Sequence, residues 1–358
     1  MRVYNFSAGP SMLFEDVLKE AQASFLDYEN SGMSVTEMSH RAKVYDGIHN
    51  ECLALFTELM KVPEDYQVLL LQGGASQQFD AIPLNLISAT GKADYVVTGN
   101  FANLAYKQAK KYGDIALAAS SEDKTYTYIP KVTVDSFRKD ASYVHITSNN
   151  TIFGTRWKEF PETPCPLVAD VSSEILSRDI DVSKFGLLYA GAQKNISAAG
   201  LTVVIIKKDL IGKELPICPT MLAYKTQADK NSLYNTPPAF SIYIAMLTLR
   251  HIKKMGGIKA INEINEAKAA MLYDFIDNSN LFKNNVNKED RSIMNVPFVT
   301  GSEELDAKFV KEAAAEGLVS IKGHRLVGGM RASIYNAMPV EGVKKLIDFM
   351  KKFELENK

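Results

Sequence analysis

The strongest constraint on the fold is a series of short, almost continuously apolar runs spaced along the first 206 residues. Seven stand out: Val68–Leu71, Asp94–Thr98, Ile115–Ala119, Tyr143–Thr147, Leu167–Asp170, Leu187–Ala190 and Leu201–Ile206. Several lack the apolar–polar alternation of a half-exposed strand, so they read as strands covered on both faces. Amphipathic stretches flank and separate them. Phe14, Val17, Leu18, Ala21 and Phe25 share one helical face, as do Val44, Ile48, Cys52, Leu55 and Leu59. This alternation predicts an α/β chain with a mostly parallel seven-stranded sheet flanked by helices. The last two runs lie close together in sequence, which predicts one antiparallel neighbour.

The pattern changes after about Ala239. A long helical run follows Pro237-Pro238, broken at Gly256-Gly257. Helical stretches follow at Ile258–Asn278 and Asp306–Glu316, with a weaker strand pair at Met294–Val299 and Arg331–Ile334. An amphipathic helix through Val340, Val343, Leu346, Ile347, Met350 and Phe353 closes the chain. Domains usually run about 100–200 residues, so 358 residues suggest more than one. The expected division is an N-terminal arm (1–15), a large domain (16–256) and a smaller α+β C-terminal domain (257–358).

Charge excludes some functions. Lys and Arg total 41 against 42 Asp and Glu, a net charge of -1. That balance argues against binding nucleic acid or a membrane surface through bulk charge. The three cysteines are isolated and the five histidines scattered, so neither a disulfide framework nor a metal site is expected. The longest uncharged stretch runs from Asn231 to Leu249, and its apolar part, Ala239–Leu249, is too short to span a bilayer. With no secretory signal pattern at the start, the expectation is a reduced, cytoplasmic protein.

Three features lie close behind predicted strands, where an α/β sheet holds its ligands. The small-residue loop Gln72-Gly73-Gly74-Ala75-Ser76-Gln77 precedes a helical pattern from Gln78. Asp170 ends an apolar strand, and Lys194 follows another in Ala190-Gly191-Ala192-Gln193-Lys194-Asn195. Taken singly, each has an ordinary reading: a tight turn, a helix cap, a surface lysine. Together they match what pyridoxal phosphate requires, namely a phosphate cup, an acid for the ring nitrogen and a Schiff-base lysine.

Other segments make the match specific. They include Phe6-Ser7-Ala8-Gly9-Pro10, Ser39-His40-Arg41, Tyr234-Asn235-Thr236-Pro237-Pro238, Lys322-Gly323-His324-Arg325 and the run from Val327 to Met338. With these, the chain resembles the phosphoserine aminotransferase family, class V members of the fold-type-I pyridoxal-phosphate enzymes, over nearly its whole length. The resemblance implies the PLP-dependent transferase fold, one pyridoxal 5'-phosphate per subunit, and a homodimer with active sites at the subunit interface. It implies transamination of 3-phosphohydroxypyruvate with L-glutamate to O-phospho-L-serine and 2-oxoglutarate, in serine biosynthesis. The family also acts on the phosphorylated 4-hydroxy-threonine precursor of pyridoxine, which this sequence neither requires nor excludes.

The resemblance assigns roles by position. Lys194 is the Schiff-base lysine and proton shuttle, and Asp170 the partner of the ring nitrogen. Thr151 meets the ring hydroxyl and Phe101 stacks on the ring. Ala75 and Ser76 offer backbone N–H groups to the phosphate, with Gln193 and, from a second subunit, Asn235 and Thr236 completing the cup. Arg331 takes the substrate α-carboxylate. His40-Arg41 and His324-Arg325 hold the second anion, one pair coming from the neighbouring subunit.

Three departures from the family pattern stand out. Phe101 occupies a position usually held by Trp, the glycine loop carries Ala75 and Gln77, and Ala8 replaces a frequent serine. The nearest rival is another class V enzyme, such as a serine–glyoxylate-type transaminase or a cysteine desulfurase, and the desulfurase typically has a histidine directly before the lysine. Gln193 holds that place here.

Overall fold

The computed structural model describes residues 2–357. Its centre is a seven-stranded sheet built from β2 (Tyr66–Gln72), β3 (Lys92–Val97), β4 (Asp114–Ser120), β5 (Val144–Thr147), β6 (Leu167–Asp170), β7 (Leu187–Gly191) and β8 (Leu201–Lys207), in the order β2-β8-β7-β6-β5-β3-β4. The parallel strands follow the expected apolar runs to within a few residues. β8 is the antiparallel member, paired with both β2 and β7. The short β7–β8 connection forces this, because a parallel crossover needs a dozen or more residues.

Both faces of the inner strands are covered, which explains their uninterrupted apolar runs, whereas the edge strand β4 leaves Leu117 exposed. On one face Val68, Leu70, Leu188, Ala190, Val203 and Ile205 pack against α1 (Glu15–Ala23), α2 (Lys43–Leu59) and α6 (Ala239–Lys254). On the other, Leu69, Leu71, Leu187, Tyr189, Val204 and Ile206 meet α3 (Gly74–Leu86) and α4 (Asn100–Ala109). Each such side chain, removed from water, contributes roughly 1.5–3 kcal/mol before conformational entropy is counted. α6 begins with the apolar run Ala239–Leu249 after the paired prolines. Ile242 through Leu249 are all buried, so it is a core helix. Among the described residues no helix is long and apolar enough to cross a membrane.

A second apolar cluster lies C-terminal. It joins α7 (Gly257–Asn278), α8 (Glu303–Ala315), α9 (Val340–Glu356) and the antiparallel pair β9 (Asn295–Phe298) with β11 (Met330–Ser333). Two features link it to the rest. Ile258 and Ile261, at the start of α7, pack in the large cluster, whereas Leu272 and Ile276 pack in the small one. At the N-terminus, β1 (Tyr4–Asn5) pairs in parallel with β10 (Leu318–Val319), and Phe6 is buried in the small cluster. The following residues, Ala8 to Ser11, then run back towards Lys194.

Candidate active site

The parallel strands β2, β3, β5, β6 and β7 deliver their following loops to one end of the sheet. Those loops carry Ala75, Phe101, Thr151, the residues after Asp170, and Lys194 respectively. This is the crevice outside the carboxyl ends of the strands, where open α/β sheets bind ligands.

Lys194 is the hub. Its Nζ donates to Thr151 Oγ1 and Ser173 Oγ, both at 2.8 Å, and these two hydroxyls lie 2.6 Å apart. Burial pushes the amine down to about 8 from the ordinary 10.5; Asp170 opposes that shift and Arg331 adds to it. The N-terminal arm crosses directly above. Ser11 N–H donates to the Gln193 carbonyl at 3.0 Å, and the Ser11 hydroxyl donates to the carbonyl of Lys194.

Asp170 is 7% exposed, and among the described residues its carboxylate is held by Ser172 alone, whose backbone N–H donates to Oδ1 at 2.9 Å. Burial raises its pKa, against the pull of Lys194 and Ser172. A buried carboxylate this sparsely paired calls for a cationic N–H partner. The Asp170 carbonyl, by contrast, is tied down by the backbone N–H and hydroxyl of Ser148, both at 2.9 Å.

The small-residue loop is the start of α3, which begins at Gly74 rather than at Gln78. Gly73 (φ 98°) and Gly74 (φ 72°) take the left-handed turn between strand and helix. Ala75 already lies inside the helix, so an alanine at this point of the loop costs no strain. No side chain caps α3, which leaves first-turn N–H groups free for an anion. Ala75 N and Gln193 Oε1 converge on Gly191: a Cβ there would come within 3.4 Å of the first and 2.8 Å of the second. Two of the expected cup residues are thereby brought together. Ser76 is exposed on the same turn.

Arg331 approaches from β11. One guanidinium nitrogen donates to the Thr151 carbonyl at 3.2 Å, and Nε is buried with no partner among the described residues. Burial lowers its pKa. His324 lies close enough to feel both Arg331 and Arg325; after burial, those two charges hold its pKa down. Arg325 is exposed. The Phe101 ring centroid lies 5.6 Å from Lys194 Nζ, placing an aromatic face beside the amine.

Four expected residues are not brought to Lys194 within one chain. The Thr236 carbonyl accepts from Gln72 Nε2 at 2.8 Å, and Asn235 borders a small cavity with Gln72, Gln77 and Tyr224. His40 Nε2 is buried without a partner among the described residues, and Arg41 is exposed.

Comparison with known proteins decides the family. The Aminotransferase class-V profile matches residues 3–346. A phosphoserine aminotransferase of Bacillus cereus is 54% identical over 358 residues, covering 100% of this chain and 99% of its own. The chain belongs to the class V aminotransferases, within the phosphoserine aminotransferase family. The solved structure of the phosphoserine aminotransferase from Bacillus circulans subsp. alkalophilus superposes with a TM-score of 0.97 at 47% identity, covering 100% of this chain and 99% of that one. A PLP-bound phosphoserine aminotransferase from Trichomonas vaginalis gives 0.92 at 39% identity, over 98% of this chain and 100% of that one.

Class V aminotransferases depend on pyridoxal phosphate, and the residues present fit that group. Among the described residues Asp170 makes no salt bridge, Lys194 has a depressed pKa, and the α3 N-terminus is uncapped. Among the described residues no group of three or more His, Cys, Asp or Glu could hold a metal ion. Sequence reasoning missed Ser173, Tyr335 and Asn295. The Tyr335 hydroxyl donates to the Ala8 carbonyl at 2.9 Å, receives Asn295 Nδ2 at 3.1 Å and neighbours Ser173. Tyr335 stood in the quoted run from Val327 to Met338, but nothing local marked its hydroxyl.

Proposed function

We propose that this chain transaminates 3-phosphohydroxypyruvate with L-glutamate, giving O-phospho-L-serine and 2-oxoglutarate in serine biosynthesis. The observation that carries the reading is Lys194, held between Thr151 and Ser173 and flanked by Asp170 and Arg331, in a chain 54% identical over its length to a phosphoserine aminotransferase.

Pyridoxal phosphate, when bound, supplies an aldehyde for amines to condense with and a ring that draws electrons from the substrate's Cα. Lys194 would hold the cofactor and, once free, move the proton at the substrate's Cα; its depressed pKa makes it a usable base near neutrality. Asp170 would keep the ring nitrogen protonated by charge. Thr151 would hold the ring hydroxyl, and Phe101 would cover a ring face. Ala75, Ser76 and Gln193 would take the phosphate, joined by Asn235 and Thr236 of the partner subunit. Arg331, with its unpaired buried Nε, takes the α-carboxylate.

The second anion is the phosphate of one substrate or the distal carboxylate of the other. It falls to His324-Arg325, beside Arg331 in the same chain, and to His40-Arg41 of the partner subunit. That division makes the working form a homodimer. The three cysteines are free thiols, which suits a cytoplasmic setting. The pyridoxine precursor carries the same two anions and would use the same residues.

The test follows the two half-reactions spectroscopically, with glutamate, phosphoserine and alanine as amino donors. Glutamate and phosphoserine are expected to react far faster than alanine. A clear preference for alanine would overturn the substrate assignment, and a monomer in sedimentation would overturn the shared site.

A further inference from the structure

α7 carries a lysine that the reaction above leaves unused. Lys268 is fully buried, and among the described residues its amine finds three backbone carbonyls and no carboxylate. The acceptors are the carbonyls of Ile334 (3.1 Å), Tyr335 (2.8 Å) and Met338 (2.9 Å). All three belong to the turn between β11, which bears Arg331, and α9. An apolar side chain would fill this space without the cost of burying an amine. Only a donor can draw three carbonyls of one turn to a single point.

The turn leads straight to the reacting amine. The Tyr335 carbonyl is held by Lys268, while its hydroxyl neighbours Ser173, which accepts from Lys194. Asn336 N–H donates at 3.0 Å to Oδ1 of Asn195, the residue after Lys194. Asn336 Nδ2 donates at 3.0 Å to the carbonyl of Leu176, a buried residue in the left-handed conformation (φ 62°) that a branched side chain rarely adopts. Asn265, one helical turn before Lys268, donates to Asn336 Oδ1 at 2.8 Å and to the Ser177 carbonyl at 3.2 Å. One face of α7 therefore grips both the segment bearing Arg331 and Tyr335 and the segment behind Lys194.

We propose that Lys268 is a positioning residue for transamination, fixing the 334–338 turn so that Arg331 and Tyr335 keep their places relative to Lys194. The inference rests on the function proposed above. Burial pushes the Lys268 amine down to about 7, so the turn is held most firmly while the amine keeps its third proton.

The test compares the cofactor-loaded parent with Lys268→Met, which keeps length and burial but cannot donate. Measured well below the melting temperature, the specificity constants for glutamate, phosphoserine and alanine are expected to fall together by roughly tenfold. The loss should sit mainly in KM, because every donor shares the α-carboxylate that Arg331 takes. The pH at which the visible band of the loaded protein changes is also expected to move, since the surroundings of Lys194 have shifted. A variant that melts earlier but keeps parental constants and the same spectroscopic midpoint would overturn the proposal.

If Lys268→Met does not fold, Lys268→Gln serves instead. Its amide can donate to at most two of the three carbonyls. The same pattern, smaller in size, is expected; unchanged constants and midpoint would overturn the role. A parent that fails with glutamate and phosphoserine sinks the substrate reading, whereas a normal parent beside an unaffected variant sinks only the positioning role.

Discussion

The strand-end part of the site and its loop-borne rim carry similar charges in opposite surroundings. Asp170, Lys194 and Arg331 are crowded by their own chain, and burial shifts the pKa of each. Arg41 and Arg325 lie exposed on loops, and among the described residues their side chains make no hydrogen bond to the rest of the site. On the proposed roles, the groups needed before substrate arrives are pre-set by packing, and those proposed to take the distal anion stay solvated. Charges of the first kind should be indispensable to every substrate, and those of the second should sort substrates.

The sharpest way to break that comparison is at its centre. Lys194→Ala should cut turnover by at least ~10³-fold while leaving the fold intact, because the covalent anchor and the proton carrier vanish together. Single-turnover measurements on the purified variant check this; near-parental rates without an added amine would remove Lys194 from the chemistry. The same lysine gives a pH prediction. Its pKa lies at about 8 rather than the ordinary 10.5, so the amine is neutral above about 8. Uptake of pyridoxal phosphate by the cofactor-free protein should then accelerate with rising pH and level off near 8. A rate that keeps climbing towards 10.5 would show an unperturbed amine.

Asp170→Asn comes next. The amide preserves the shape but cannot hold a ring nitrogen protonated by charge. Activity should drop by roughly 100-fold with cofactor still bound. Parental turnover in a folded variant would reduce Asp170 to a cap for Ser172.

The two arginines of the C-terminal segment test the contrast directly. Arg331→Ala should damage glutamate, phosphoserine and alanine alike. Arg325→Ala should spare alanine and weaken the two anionic donors by about 10- to 150-fold, the range expected for one charge-assisted contact. Specificity constants for the three donors decide the matter, and an equal loss across all of them for Arg325→Ala would return it to the surface.

How much of this was legible from sequence follows from how local each signal is. β6 and β7 are buried on both faces, so their apolar runs are unbroken, and Asp170 and Lys194 stand out at their ends. β1 and β10 pair over two residues each, too few for any periodicity to register. Ser173 carries no signature either, because its meaning comes from Lys194 and Thr151 arriving beside it through the fold. The buried asparagine pairs Asn149–Asn295 and Asn265–Asn336 are hidden for a related reason. Asparagine ordinarily marks a turn, and only tertiary packing turns these four into buried connectors.

The smallest expected effect concerns Phe101, which belongs to the pre-set part of the site but contributes no charge. It sits in the first turn of α4 with its ring 5.6 Å from the Lys194 amine, and its side chain is only partly buried. A larger aromatic there could add contact area without displacing a packed neighbour. Aromatic contacts of this kind contribute about 0.5–1.5 kcal/mol, so Phe101→Trp should change cofactor affinity by no more than roughly tenfold, with turnover near parental. Cofactor titration of the variant measures this. Retention of cofactor would place residue 101 over the ring. A folded variant that has lost cofactor would mean the indole blocks the crevice, and Phe101 would then belong with the rim rather than with the strand-end core.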